Sequence, residues 1–391
     1  MEERRKVQIA LAEGDGSAPE QMAWATKIAI EAAKLDDIDI EFVPTPMGWC
    51  VFKEAGDTLP RESMDMATKL GLLFFGGVGE KSLDNTLGAG PNAKFKPEGR
   101  CLLTIRNEWG LLVNERPAIY YPELRGVAKV REDAIPDNGV RQIWLRFLLE
   151  DSYFGNRTFC GTIGWQAERL TGMRLKDAVT GDESIVADLA FYRASSVTEY
   201  FRYAFGRAKA LGVPLICVDK SNVMARYVFW RKIAERIHER AFPDVQMRCH
   251  FSDDTTRLLF NPTMLDGVIA CGNEHGDMLS DGALEAVGSM GMMFSSAINL
   301  KTRAAMFESG AGTYPEAKGK DIANPIGRIL TGAMMLEHIG AVNGPAAIAR
   351  AVRRAIAEGY KTPDLFRKGD DPNLRVGTCG MGEKILSLLT A

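Results

Sequence analysis

Apolar positions along this chain fall into short unbroken runs, separated by stretches whose apolar residues recur at helical spacing. VQIALAEG (7–14) reads as a strand ending in a glycine turn, residues 19–35 as an amphipathic helix, and DIEFVP (39–44) as the next strand. LGLLFFGGVG (70–79), PLICVDKS (214–221) and DGVIACGNEHGD (266–277) each look like a buried strand that delivers a polar loop. Helical periodicity is clear in 198–211, in 223–241 and in 325–356. Strands that are apolar throughout are buried on both faces, so their alternation with helices predicts an α/β fold with a largely parallel sheet. Ligands of such sheets bind beyond the carboxyl ends of the strands. Residues 155–195 suggest short hairpins, and the Gly- and Asp-rich 368–383 reads as a loop before a last short helix.

Composition narrows the class without choosing a chemistry. The 391 residues are 46% hydrophobic and 25% charged, enough for two domains with real cores. A net charge of −3 gives no electrostatic case for nucleic acid or an anionic membrane. No apolar run approaches the ~18–20 residues of a membrane-spanning helix, and the mixed-charge start runs straight into a strand rather than a signal sequence. The seven cysteines include no CxxC pair, which suits reduced thiols in a cytoplasmic protein. Four histidines without HxxxH spacing leave little room for zinc or a His-based triad.

Three segments can carry chemistry. In NEHGDMLSD (273–281), Asp277 and Asp281 are four residues apart, so on a helix both carboxylates face one way. Such a pair is either a solvated acidic face or half of a site for a hard divalent cation such as Mg²⁺ or Mn²⁺. In LLTIRNEWGLLVNERP (102–117), Leu102, Leu103 and Arg106 can share one helix face, with Arg116 placed before a proline expected to end or redirect the chain. A guanidinium beside two leucines suits a ligand with a carboxylate and a branched alkyl group, although core leucines with surface arginines would look the same. The third group is dispersed: Arg146 and Tyr153 in RFLLEDSYFG, Lys220 in VDKSN and Asp253 in FSDDTT. A lysine directly after a buried strand is a candidate general base, and a tyrosine near it a candidate acid.

Taken together, GDGSAPE (14–20), GGVG (76–79), the Arg106/Arg116 segment, Arg146 with SYFG, VDKSNV (218–223), GNEHGDMLSD (272–281), GSMG (288–291) and GKDIANP (319–325) fall in one order. In that order and spacing the chain resembles the isocitrate/isopropylmalate dehydrogenases, metal-dependent β-decarboxylating enzymes, over nearly its whole length. The resemblance implies a two-domain isopropylmalate dehydrogenase-like fold that is not a Rossmann fold. Residues 1–111 with 288–391 would form a cofactor-binding domain, and 112–287 a middle, dimerising domain with a clasp at about 155–195. It further implies a homodimer in which Lys220 and Asp253 reach the site of the neighbouring chain. Asp253, Asp277 and Asp281 would hold Mg²⁺ or Mn²⁺. Lys220 and Tyr153 would be base and acid, while Leu102, Leu103, Arg106, Arg116, Arg146 and Asn222 would bind substrate. Gly312, Thr313, Glu316, Ile322 and Asn324 would bind NAD. An acidic residue at 316 accepts hydrogen bonds from ribose hydroxyls and repels a 2′-phosphate.

The leucine pair stands where isocitrate enzymes carry Ser-x-Asn, which favours 3-isopropylmalate or another alkyl-malate over isocitrate, homoisocitrate or a tartrate/malate-type substrate. Burying an alkyl group discriminates by roughly 1–3 kcal/mol. A non-catalytic regulatory subunit is the other class of reading, and retention of Lys220, Tyr153 and the three aspartates speaks against it. Departures from the family pattern are Ala18, Phe147, His275, Phe294, Ala311 and Tyr314, together with a clasp region about twenty residues longer than usual. They suit a paralogue with an altered substrate.

Overall fold

The computed structural model of the protein describes residues 4–153 and 190–390. The segment expected to form hairpins and a clasp therefore lies, except for its last residues, outside the described residues. The strands are β1 (Arg5–Ala12), β2 (Ile38–Pro44), β3 (Leu72–Phe75), β4 (Val113–Tyr120), β5 (Val140–Phe147), β6 (Leu215–Asp219), β7 (Met247–Phe251), β8 (Gly267–Cys271), β9 (Ser295–Ile298) and β10 (Ala305–Glu308). They form one sheet in the order β2-β1-β3-β10-β9-β4-β5-β8-β6-β7. Pairing is parallel at both ends of the sheet and antiparallel only across β10-β9-β4-β5. The expectation of a mixed, mostly parallel α/β sheet is met.

Helices α1 (Ala18–Ala33), α2 (Trp49–Ala55), α3 (Arg61–Leu70), α4 (Lys81–Thr86) and α5 (Thr104–Glu108) belong to the N-terminal third. They are followed by α6 (Ala194–Leu211), α7 (Ala225–Ala241), α8 (Ser252–Leu258), α9 (Asn273–Ala286), α10 (Ile326–His338), α11 (Asn343–Ala357) and α12 (Thr378–Thr390). No helix among the described residues is long and apolar enough to cross a membrane.

The unbroken apolar runs are explained by helices on both faces of the sheet. Successive strand residues point to opposite faces. Phe74 accordingly packs with α1 and α10, whereas its neighbours Leu73 and Phe75 pack with Ile105 and Leu111 on the other side. Ile216 and Val218 likewise join one core and Leu215 and Cys217 another, where Phe147, Tyr200, Phe201 and Trp230 form an aromatic cluster.

Three local expectations are corrected. Periodicity through 325–356 covers two helices, α10 and α11. The chain turns at Gly340, whose φ of 90° is a left-handed conformation that side-chain-bearing residues rarely adopt. Pro117 does not end or redirect the chain, because β4 runs through it. β9 pairs only with Val113–Glu115, so beyond that point one side of the strand is open and a missing N–H is tolerated. The last helix begins inside the Gly-rich stretch and spans 13 residues. Asp321 fastens its start by accepting from the Cys379 amide at 2.7 Å.

Candidate active site

The site is built where the antiparallel strands β4 and β5 meet the start of α9. Arg116 and Arg146 come from these paired strands, and the register (Arg116 opposite Trp144, Asn114 opposite Arg146) puts both on one face. That face is covered by α9, which packs so closely that a side chain at Gly276 would lie 3.2 Å from the Arg146 backbone. One turn apart on α9, Asp277 and Asp281 point at the two guanidiniums. Arg116 Nη1 is 3.1 Å from Asp277 and 2.8 Å from Asp281, and Arg146 pairs with Asp277. Asn273, at the first turn of α9, accepts from Arg146 Nε at 2.8 Å and so fixes the plane of the fork.

A cleft of about 490 Å³ opens here. Arg106, Arg116 and Arg146 line it with Asp277 and Asp281, and Leu102, Leu103 and Tyr153 form part of its wall. The structure therefore brings together eight of the residues singled out from the sequence. Tyr153 lies against Arg146, whose guanidinium carbon is 5.4 Å from the ring centre.

In the cleft the three arginines face four carboxylates, those of Glu98, Asp277, Asp281 and Glu308. Burial lowers the Arg106 pKa, and it pushes Arg146 down to about 9, with Arg116 and Arg106 adding repulsion against the pull of Asp277. Arg106 reaches only Glu308, at 3.3 Å, and its buried Nε has no hydrogen-bond partner. A buried donor left unmade costs about 1–3 kcal/mol, so the pocket is poised to take up carboxylate oxygens. Asp281, whose side chain is 64% exposed, is displaced the other way: partial desolvation and the like charge of Asp277 raise its carboxyl in spite of Arg116. Burial likewise raises the Tyr153 hydroxyl, with Asp277 adding to it.

Lys220 and Asp253 lie elsewhere. They follow β6 and β7 and form an ion pair of 2.6 Å, which lowers the Asp253 carboxyl. Neither lines the cleft, and Asn222 stands exposed on the Lys220 turn. Among the described residues of one chain, no group of three or more His, Cys, Asp or Glu converges as a metal site. Asp277 and Asp281 offer two carboxylates, and a hard cation asks for six or more oxygens.

Beside the cleft lies a second pocket of about 500 Å³, in which Gly312, Thr313, Ile322 and Asn324 meet Ala311 and Tyr314. Arg328, fully buried, ties the Gly312 side of the pocket to the Gly76 turn by donating to the carbonyls of Gly312 and Gly76 at 2.6 Å each. The turn at Gly14 permits this packing, because any β-carbon there would strike the Gly77 carbonyl at 1.9 Å. Glu316 is not in this pocket. It stands exposed on the far side of the Thr313–Pro315 turn, in a groove that shares Thr313 with the pocket.

Residues 8–385 match the family described as isocitrate/isopropylmalate dehydrogenase. The chain belongs to that family. It is an oxidoreductase, a decarboxylating dehydrogenase of hydroxy acids. A 3-isopropylmalate dehydrogenase of Rhodopirellula baltica is 31% identical over 98% of this chain and 99% of its own. One from Syntrophotalea carbinolica is 29% identical over 99% of both. The crystal structure of an isocitrate dehydrogenase from Methylococcus capsulatus superimposes with a TM-score of 0.75 at 26% identity, covering 98% of this chain and 100% of that one. A β-decarboxylating dehydrogenase from Thermococcus kodakarensis gives 0.73 at 27% identity, covering 98% and 96%.

Within this family frame the structure adds residues that the sequence pattern passed over. Glu98, Ser295, Glu308 and Ser309 complete the polar lining, and Leu284 and Met293 extend the apolar wall beside Phe294, noted above only as a departure from the family pattern. Glu308 carried a usable signal, being an acid at the carboxyl end of an apolar strand. Leu284 carried one too, seven residues after Asp277 on the same helix face. Ser295 and Ser309 gave none.

Proposed function

We propose that this enzyme oxidises and decarboxylates a 2-hydroxy diacid with NAD and Mg²⁺ or Mn²⁺, and that its substrate is 3-isopropylmalate or a related alkyl-malate. The observation that carries the reading is one cleft with a cationic wall of three arginines, an apolar wall and two carboxylates on one helix turn. Leu102 and Leu103 would bury the alkyl group, and Leu284, Met293 and Phe294 give that wall more area than the leucine pair alone. The curated relatives named 3-isopropylmalate dehydrogenase support the same assignment.

Arg106, Arg116 and Arg146 would grip the two carboxylates, and Asp277 and Asp281 exchange arginine for cation as those carboxylates arrive. The raised Asp281 carboxyl and the unpartnered Arg106 Nε fit this exchange. A divalent cation held by Asp277 and Asp281, with Asp253 of a second copy, would polarise the substrate hydroxyl and its neighbouring carboxylate. NAD, bound over Gly312, Thr313, Ile322 and Asn324 with Glu316 toward the ribose, would accept the hydride. Lys220 of the second copy would take the hydroxyl proton, with Asn222 beside the substrate. Tyr153 would return a proton to the carbon left when CO₂ departs.

A homodimer is part of this reading. Lys220 and Asp253 already sit together at the ends of adjacent strands, and Val223, Val228, Phe229 and Phe260 beside them are exposed apolar residues suited to burial against a second copy. The division into residues 1–111 with 288–391 and a middle unit of 112–287 supplies the hinge about the cleft. Six described cysteines are free, in keeping with a reducing cytoplasm.

The test is a panel of 2-hydroxy diacids with NAD⁺ and Mn²⁺, followed by NADH absorbance. Alkyl-malates should give the highest kcat/KM, and EDTA should stop turnover until Mn²⁺ is restored. Preference for isocitrate or tartrate would overturn the substrate assignment, indifference to EDTA the cation, and complete silence of the isolated protein the catalytic reading.

A further inference from the structure

Two thiols lie side by side just upstream of Lys220 and Asp253. In the parallel register of β6 and β7, Cys217 is the direct partner of Cys249. Adjacent strands run about 4.7–4.9 Å apart, inside the Cα separation of 4.4–6.8 Å that a disulfide accepts. Cys217 is fully buried and Cys249 is exposed on the edge strand, so an oxidant meets Cys249 first. The Lys220–Asp253 ion pair joins the ends of the same two strands, three residues beyond Cys217 and four beyond Cys249.

We propose that Cys249 is an oxidant-sensitive modification site whose thiol closes a reversible disulfide to Cys217, displacing Lys220 and Asp253. The consequence for turnover rests on the function proposed above; the thiol chemistry does not. With a peroxide as oxidant, the Cys249 thiolate attacks one peroxide oxygen and becomes a sulfenic acid, releasing hydroxide. The Cys217 sulfur then displaces the sulfenic oxygen as water, so two thiols and one peroxide give one disulfide and two waters.

Electrostatics favours the same sulfur. A hydrogen bond from Cys217, helped by the charge of Arg231, outweighs desolvation and lowers the Cys249 thiol, whereas Cys50, Cys101, Cys217, Cys271 and Cys379 are all raised. Forming the bond must draw the β-carbons in to about 3.8 Å, closer than strand neighbours stand. A disulfide strained in this way is readily reduced, as a switch requires.

The experiment treats the full-length protein with hydrogen peroxide and follows peptide mapping, amide exchange and turnover together. The expected result is a peptide pair linked through residues 217 and 249, with faster exchange in 218–223 and 250–255. Turnover should fall by roughly a hundredfold, the scale of a general base, and dithiothreitol should reverse all three. Cys249→Ser should keep its turnover under peroxide. Oxidation at other cysteines without the 217–249 link overturns the site, and a link without faster exchange overturns the displacement. A reduced enzyme silent on every diacid would instead defeat the proposed function, leaving mapping and exchange to decide the thiol site.

Discussion

At the scale of single residues, the cleft is a set of charges held in provisional pairs. Arg116 serves two aspartates and Arg146 one, while Arg106 keeps a buried Nε unused. Under the proposed function, these pairs would be exchanged when carboxylates and a cation enter together. Glu316 is the residue whose role is most open to direct trial, since it lies across the Thr313 turn from the pocket formed by the other cofactor candidates. Glu316→Lys should shift the ratio of kcat/KM for NAD over NADP by about tenfold toward NADP, equivalent to about 1.4 kcal/mol. A ratio unchanged from the parent would make Glu316 a bystander.

At the scale of elements, the helix carrying the leucine pair begins unusually. Residues Glu98–Leu103 form a π turn that passes into α5. Leu102, Leu103 and Arg106 still line one cleft, but the wider turn also brings Glu98 to its rim, where it faces the Glu316 groove as well. Single π turns of this kind recur at functional sites. The α10–α11 break offers a cleaner energetic test. Asp36 accepts the amides of Val342, Asn343 and Gly344 at 2.7–3.0 Å and so caps α11 from outside the helix. Burial pulls its carboxyl up, but those hydrogen bonds outweigh it and leave the pKa lowered. A depressed carboxylate contributes stability above its unfolded pKa of about 3.9, and the contribution is lost as pH falls through the folded value. Asp36→Ala should therefore cost about 1 kcal/mol at pH 7, with the difference from the parent shrinking below pH 4. Urea unfolding at the two pH values reads both; an equal difference at each would remove the charged cap from the account.

At the scale of the molecule, one continuous sheet joins strands from the chain's two ends to strands from its middle, and β4 is the seam. Arg207 on α6 braces the side opposite the cleft, pairing with buried Glu115 of β4 at 2.9 Å and with Glu337 of α10. Lys220 and Asp253, the proposed base and third metal ligand, stand outside their own cleft. If a second copy supplies them, Lys220→Ala and Asp281→Asn should each be inactive, and mixing the two under conditions of subunit exchange should restore about a quarter of parental activity through hybrid dimers. No recovery on mixing, with exchange shown by native mass spectrometry, would place both groups in the same chain.

Legibility followed the range of the forces involved. Asp277 and Asp281 on one helix face, the leucine pair beside Arg106, and strands apolar on both faces all depend on spacings of two to four residues, so the sequence determined them and the family pattern put them in order. It did not determine that Pro117 would sit within a strand, that 325–356 would break at Gly340, or that Ser295, Glu308 and Ser309 would join residues two hundred positions away. Those outcomes depend on which strand ends beside which and on which carbonyl lies 1.9 Å from a missing side chain. Such contacts exist only once the sheet has closed, and only the tertiary structure could decide them.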